Sequence, residues 1–184
     1  MATPQRIHVS ARDTGLLRVE QDDAAAAKVT ELLQKDLEQN HVFFNDEGFH
    51  NHISHHLLTL YGTGAAPAAL EQAFAGNESY QIRALASSDE VVAALEADWP
   101  GNAPRYLGRG RHYPDFLRYF QRQMDGHGGR WQPVVERHLL PAAGDDAGGP
   151  WAAARYDLLG RLYAGFLHPL IQLMRPCTRA ASAT

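Results

Sequence analysis

The chain of 184 residues has a single cysteine, Cys177, so it has no intrachain disulfide to staple it. That fits a reducing compartment, and the cytoplasm is the expected location. No run of about 18 apolar residues occurs, and Met1-Ala2-Thr3-Pro4-Gln5-Arg6 leads into no apolar signal core, so neither a membrane span nor a leader is expected. Charge of one sign is also scarce: a formal net charge of -4 gives no general affinity for nucleic acid or an anionic membrane. Strand patterns are sparse, with only residues 6–19 offering a weak one, and no glycine-rich dinucleotide fingerprint is present.

Helical periodicity fills most of what remains. Asp22 and Asp23 open a stretch to residue 40 with Val29, Leu32, Leu33 and Leu37 at helical spacing. A second helix runs through Leu57, Leu58, Leu60 and Tyr61 until Gly62 and Gly64 stop it, and Pro67 starts a short third one ending near Gly76. Ser88 opens another that breaks at Trp99-Pro100-Gly101, after which the chain reads as loop to Arg111. Tyr113-Pro114-Asp115 opens a helix with Phe116, Leu117, Phe120 and Met124, and Val134 to Leu140 form one more. Residues 141–150 read as a mobile loop, a long helix is expected from Trp151 to His168 with Pro169 bending or ending it, and residues 173–184 form an irregular tail. The expectation is an all-α fold, an irregular multi-helix bundle with long connecting loops, built as one domain with residues 1–20 as an N-terminal arm.

The densest chemistry is His50-Asn51-His52-Ile53-Ser54-His55-His56, four imidazoles in seven residues on the first turns of the second helix. Neutral imidazole is the commonest metal ligand, and residues four apart share a helix face, so His52 and His56 can converge on one ion with His55 beside them. A further ligand must come from elsewhere, and His168 in an apolar setting fits. Against this stand a solvated polar face for the cluster and a hydrogen-bonded core histidine for His168. The scattered His8, His41, His112, His127 and His138 are expected at the surface. A zinc protease needs glutamate beside its first histidine, whereas Ile53 follows His52 here. Gly108-Arg109-Gly110-Arg111 lacks the rest of a phosphate-loop signature and reads as a loop.

The order of these motifs is more specific than any one of them. Val42 to Leu58 with its histidines, Tyr61 with Gly64-Ala65-Ala66-Pro67, Leu107-Gly108, Tyr113-Pro114-Asp115-Phe116 and Gly165-Phe166-Leu167-His168-Pro169-Leu170-Ile171 together resemble the questin oxidase-like family over residues 25–172. The resemblance implies an oxidoreductase that oxidatively opens a ring of an anthraquinone or related aromatic polyketide in secondary metabolism. It would act as a Baeyer–Villiger-type monooxygenase or a dioxygenase on dioxygen and an aromatic substrate, at a histidine-bound non-haem iron, with NADPH as a further implied cofactor. It makes His52, His56 and His168 metal ligands, with His50 and His55 as ligands or their supports. Phe49, Tyr61 and Tyr163 could line a flat pocket, although core packing is the expectation for each.

The chain departs from the family where a second histidine usually follows His-Pro-Leu-Ile: here Gln172, a poorer ligand, holds that position. Family members also continue well beyond this point, so the chain reads as an N-terminal portion of a member. The rival readings are an inactive helical protein that dimerises or pairs with another chain through the face its missing C-terminal half would cover, and a hydrolytic or structural zinc protein.

Overall fold

The computed structural model describes residues 2–141 and 148–173, so most of the expected loop 141–150 and of the tail lies outside the described residues. Among the described residues the fold is all-α, with no strand and only isolated β-bridges. One core was expected, yet the helices gather round two. The first compact unit comprises residues up to 84 together with Gln172 and Leu173, and the second comprises residues 85–171.

In the first unit, α1 (Asp23–Gln39) starts where Asp22 Oδ1 accepts the Ala25 N–H at 2.7 Å. A carboxylate there satisfies an otherwise orphaned amide and complements the helix dipole. Ala25, Ala26, Val29, Leu32 and Leu33 form its buried stripe. It packs against α2 (Ile53–Gly62) and α3 (Pro67–Glu78), which bring Ile53, Leu57, Tyr61, Leu70 and Phe74 to the same core. Burial of side chains of this size contributes about 1.5–3 kcal/mol each.

Residues 6–19 form no strand because the arm finds its hydrogen bonds on helix side chains. Ile7 N–H donates to Gln34 Oε1 at 2.7 Å, Val9 N–H donates to Thr30 Oγ1 at 2.9 Å, and the Tyr61 hydroxyl donates to Ser10 O at 2.8 Å. Val9 is thereby held in the core at 4% exposure.

The second unit holds α4 (Asp89–Ala97), α5 (Trp99–Tyr106), α6 (Tyr113–Gly126), α7 (Gln132–Leu139) and α8 (Pro150–Leu162). The stretch expected to be loop after Trp99-Pro100-Gly101 is helical to Tyr106. The break is one residue wide: extended Asp98 donates its N–H to Ala94 O, ending α4, and its Oδ1 accepts the Gly101 N–H at 3.2 Å, starting α5. Pro100 falls in the first turn, where its missing N–H costs nothing, and Trp99 and Ala103 are buried one turn apart.

The last helix also differs from the expectation. α8 ends at Leu162, and Gly165, Phe166 and Leu167 follow at φ values of +56°, +55° and +66°. Helical periodicity therefore stops before Tyr163 and Phe166, which are 61% and 88% exposed. Residues 168–173 are helical again, so Pro169 stands in the first turn of a new helical stretch and does not end an old one.

Candidate functional site

The histidine turn of the first unit is fixed from beneath by a polar network. Asp36 Oδ1 accepts from Asn40 Nδ2 at 2.9 Å and Asn51 Nδ2 at 2.7 Å, while Asn51 Oδ1 accepts the Ile53 N–H at 2.8 Å. Asn51 thus links α1 to the start of α2. Burial raises the Asp36 carboxyl above its ordinary value, and the two amide donors oppose that rise.

His50 and His52 were expected within the helix, but His50 pairs with Phe43 in a β-bridge and His52 is the residue that precedes the first turn. The spacing argument survives in the backbone, because His56 N–H donates to His52 O at 2.9 Å. His52 and His56 are exposed and His55 is half-buried, with the His52 and His55 ring centroids 5.6 Å apart. His56 Nδ1 lies 3.2 Å from Asn77 Nδ2, and His55 Nε2 lies 2.8 Å from Gln172 Nε2. Gln172 is therefore hydrogen-bonded to the cluster.

His168 belongs to the second unit. Its Nδ1 is 2.7 Å from Gly165 O. A carbonyl only accepts, so Nδ1 carries the proton, which is the tautomer of an Nε2-ligating imidazole. The donor chemistry of these histidines fits a borderline divalent metal such as iron. Among the described residues, however, no group of three or more His, Cys, Asp or Glu is arranged to hold an ion. Tyr61 packs in the first core at 1% exposure, while Phe49 and Tyr163 are exposed.

The second unit contains a titratable group that sequence reasoning placed at the surface. His138, on α7, is 2% exposed and its ring meets Trp99, Phe120 and Trp151 edge-on at centroid distances of 4.8, 5.2 and 5.7 Å. Its Nδ1 donates to Val134 O at 2.7 Å, and its Nε2 accepts the Tyr119 hydroxyl at 3.0 Å. Burial pushes His138 down to about 4; the Arg137 and Arg155 charges push the same way, and the Val134 bond resists. Burial likewise pushes Tyr119 up to about 12, so both partners are neutral near pH 7.

His41 and His112 are also not surface residues. His41 is 5% exposed and its Nδ1 accepts the Phe43 N–H. His112 Nδ1 lies 2.8 Å from the buried Asp115 carboxylate, whose other oxygen accepts the Ser88 N–H at 2.6 Å. That carboxylate ties the start of α4 to α6.

Among the described residues, then, a helical chain carries an imidazole-rich turn at the head of α2 and an aromatic second core with a buried, neutral histidine. The questin oxidase-like family model matches residues 49–175, and the chain belongs to that family. It is 35% identical to the oxidoreductase AflY of Aspergillus parasiticus over 94% of this chain and 33% of that protein. It is 36% identical to the Baeyer–Villiger monooxygenase AacuH of Aspergillus aculeatus over 80% of this chain and 28% of that protein. It is 28% identical to the questin oxidase of Aspergillus terreus over 94% of this chain and 36% of that protein. The chain spans about a third of the length of these curated relatives. No helix among the described residues is long and apolar enough to cross a membrane.

Proposed function

We propose that the chain is part of an oxidoreductase that inserts oxygen from dioxygen beside a carbonyl of an anthraquinone or related aromatic polyketide and so opens the ring. In the monooxygenase form one oxygen atom enters the substrate, and the other leaves as water, with two electrons and one proton delivered by NADPH as hydride and the second proton taken from solvent. In the dioxygenase form both atoms enter the substrate and no external donor is used.

One observation carries this reading. The family match begins at Phe49, at the edge of the histidine turn, and contains His50, His52, His55, His56 and His168. We assign His52, His56 and His168 as proposed ligands of a non-haem iron, with His55 and its partner Gln172 in support. Bound iron would supply the activation of dioxygen. The protein's part in the first unit is to orient the imidazoles: Asn51 anchors the turn, and Asn77 faces His56 Nδ1. In the second unit, Gly165 O holds the His168 tautomer.

The test is anaerobic purification with elemental analysis of wild type and the His52→Ala/His56→Ala variant, followed by incubation with a hydroxyanthraquinone, dioxygen and NADPH. About one iron per chain is expected, lost in the variant without unfolding, with a product heavier by one or two oxygen atoms. Full iron retention by the folded variant would remove these histidines as ligands. Absence of any oxygenated product from iron-replete protein would overturn the activity for this chain.

A second reading has its own support in exposed apolar side chains. Leu16 and Leu17 are 85% and 70% exposed in the first unit, and Phe166 is the most exposed large apolar residue of the second. In this reading the chain is a helical protein without activity of its own that pairs with a second copy or another chain. Light scattering on the isolated protein separates the two readings: an active monomer rules out the second.

A further inference from the structure

The second unit contains a cavity of about 320 Å3 walled by α6, α7 and α8, with Phe120, Met124, Trp131, Val134, Leu158 and Leu162 among its lining residues. A dry apolar cavity of about 150 Å3 accepts one benzene ring. Fused rings share edges, so the space here suits about two to three of them.

The wall chemistry narrows the class further. His138 also lines the cavity, but both ring nitrogens are already engaged, by Val134 O and the Tyr119 hydroxyl. It therefore offers a neutral ring and no charge. A flat aromatic ligand meets Phe120, Trp131 and His138 as ring partners, whereas a sugar or a peptide would leave its polar groups unpaired against Val134, Leu158 and Leu162.

One lining residue supplies fixed donors. Arg161 bonds through Nε to Asp157 Oδ2 at 2.9 Å, its one side-chain hydrogen bond among the described residues, so Nη1 and Nη2 remain as donors. Gly108, at φ +77°, lies close to Nη1; a Cβ on it would stand 3.1 Å away. The neighbouring Asp157 balances the charge of Arg161, so the guanidinium suits an acceptor oxygen such as a carbonyl, phenolate or carboxylate and does not demand a full anion.

We propose that this cavity binds a planar aromatic ligand of about two to three fused rings with an acceptor oxygen directed at the Arg161 guanidinium. The assignment deepens the oxidoreductase reading by giving its aromatic substrate a place. It is tested by binding alone, without metal or electron donor, so a failure of turnover and a failure of binding are separate results.

The experiment is titration of the full chain with anthraquinone-2-carboxylate, following the three tryptophan indole N–H resonances. Trp131 lines the cavity, whereas Trp99 and Trp151 are not among its lining residues. Saturable movement of the Trp131 signal is expected, with much smaller movement of the other two. Adamantane-1-carboxylate, which carries the same anion on a round body, should bind at least about tenfold more weakly. Arg161→Met, at a half-exposed position that should not affect folding, should weaken the anthraquinone about three- to tenfold. Met124→Trp, which fills the space, should weaken it by more than about tenfold.

Three results of the titrations would overturn the assignment. They are no saturable Trp131 shift, equal shifts of all three indoles, and unchanged affinity in Arg161→Met and Met124→Trp together. A Trp131 signal that moves with protein concentration before any ligand is added would place a second copy in the cavity and also overturn it.

Discussion

The two units bury different kinds of matter. The first closes on aliphatic side chains such as Leu32, Leu33, Ile53, Leu57 and Leu70, and displays His52 and His56 on the outside. The second closes on rings, with Trp99 stacked on Tyr119 at 4.8 Å and His138 edge-on to Trp99, Phe120 and Trp151, and it leaves a cavity beside them. Branched aliphatic chains interdigitate closely, whereas aromatic rings settle into offset or edge-on arrangements at set centroid distances. Groups able to bind metal and room able to take a flat molecule are thus products of two packing regimes within one chain.

The largest effect should come from the aromatic centre. Trp99→Ala should cost about 3–5 kcal/mol, seen by hydrogen exchange as lost protection in α4 to α8 with α1 to α3 retained. Equal loss in both units would break the contrast. Acid provides the next test. His138 is lowered to about 4 from an ordinary value of 6.5, so the unfolded chain binds the extra proton between those values. Stability is complete above about pH 6.5 and declines as pH falls towards 4, by on the order of 3 kcal/mol, and urea midpoints should follow that course. His138→Gln should flatten the slope; an unchanged slope would remove His138 as its cause.

In the first unit the expected effects are smaller. Asp36→Ala should cost about 2 kcal/mol, because the Asn40 and Asn51 amides lose their acceptor, and should loosen the histidine turn. Asp36→Asn keeps an acceptor and removes a buried charge, so its effect should stay within about 1 kcal/mol. Asp22→Ala should cost about 1 kcal/mol through the lost α1 cap, measured by thermal unfolding.

Elements with local signals were legible in the sequence. The Asp22 cap and the spacing of Val29, Leu32 and Leu33 place α1, and Tyr113-Pro114-Asp115 places the start of α6. α5 was missed because Trp99-Pro100-Gly101 is punctuation by composition, while the cap that restarts the helix is the side chain of Asp98 just before it. His138 was missed because Glu136 and Arg137 beside it suggest a surface face. Its signal was there at four residues from Val134, which shares its buried side of α7. The cavity has no local signal at all, since it arises only when the three consecutive helices α6, α7 and α8 pack together.

The N-terminal arm has a consequence for the order of folding. Its backbone partners are the side chains of Thr30, Gln34 and Tyr61, which stand in the correct places only after α1 and α2 have formed and docked. The arm's partners lie 21 to 51 residues away, so closing these loops comes late, and the arm should be absent from the folding transition state. Substitution at Thr30 should then speed unfolding and leave the folding rate nearly unchanged.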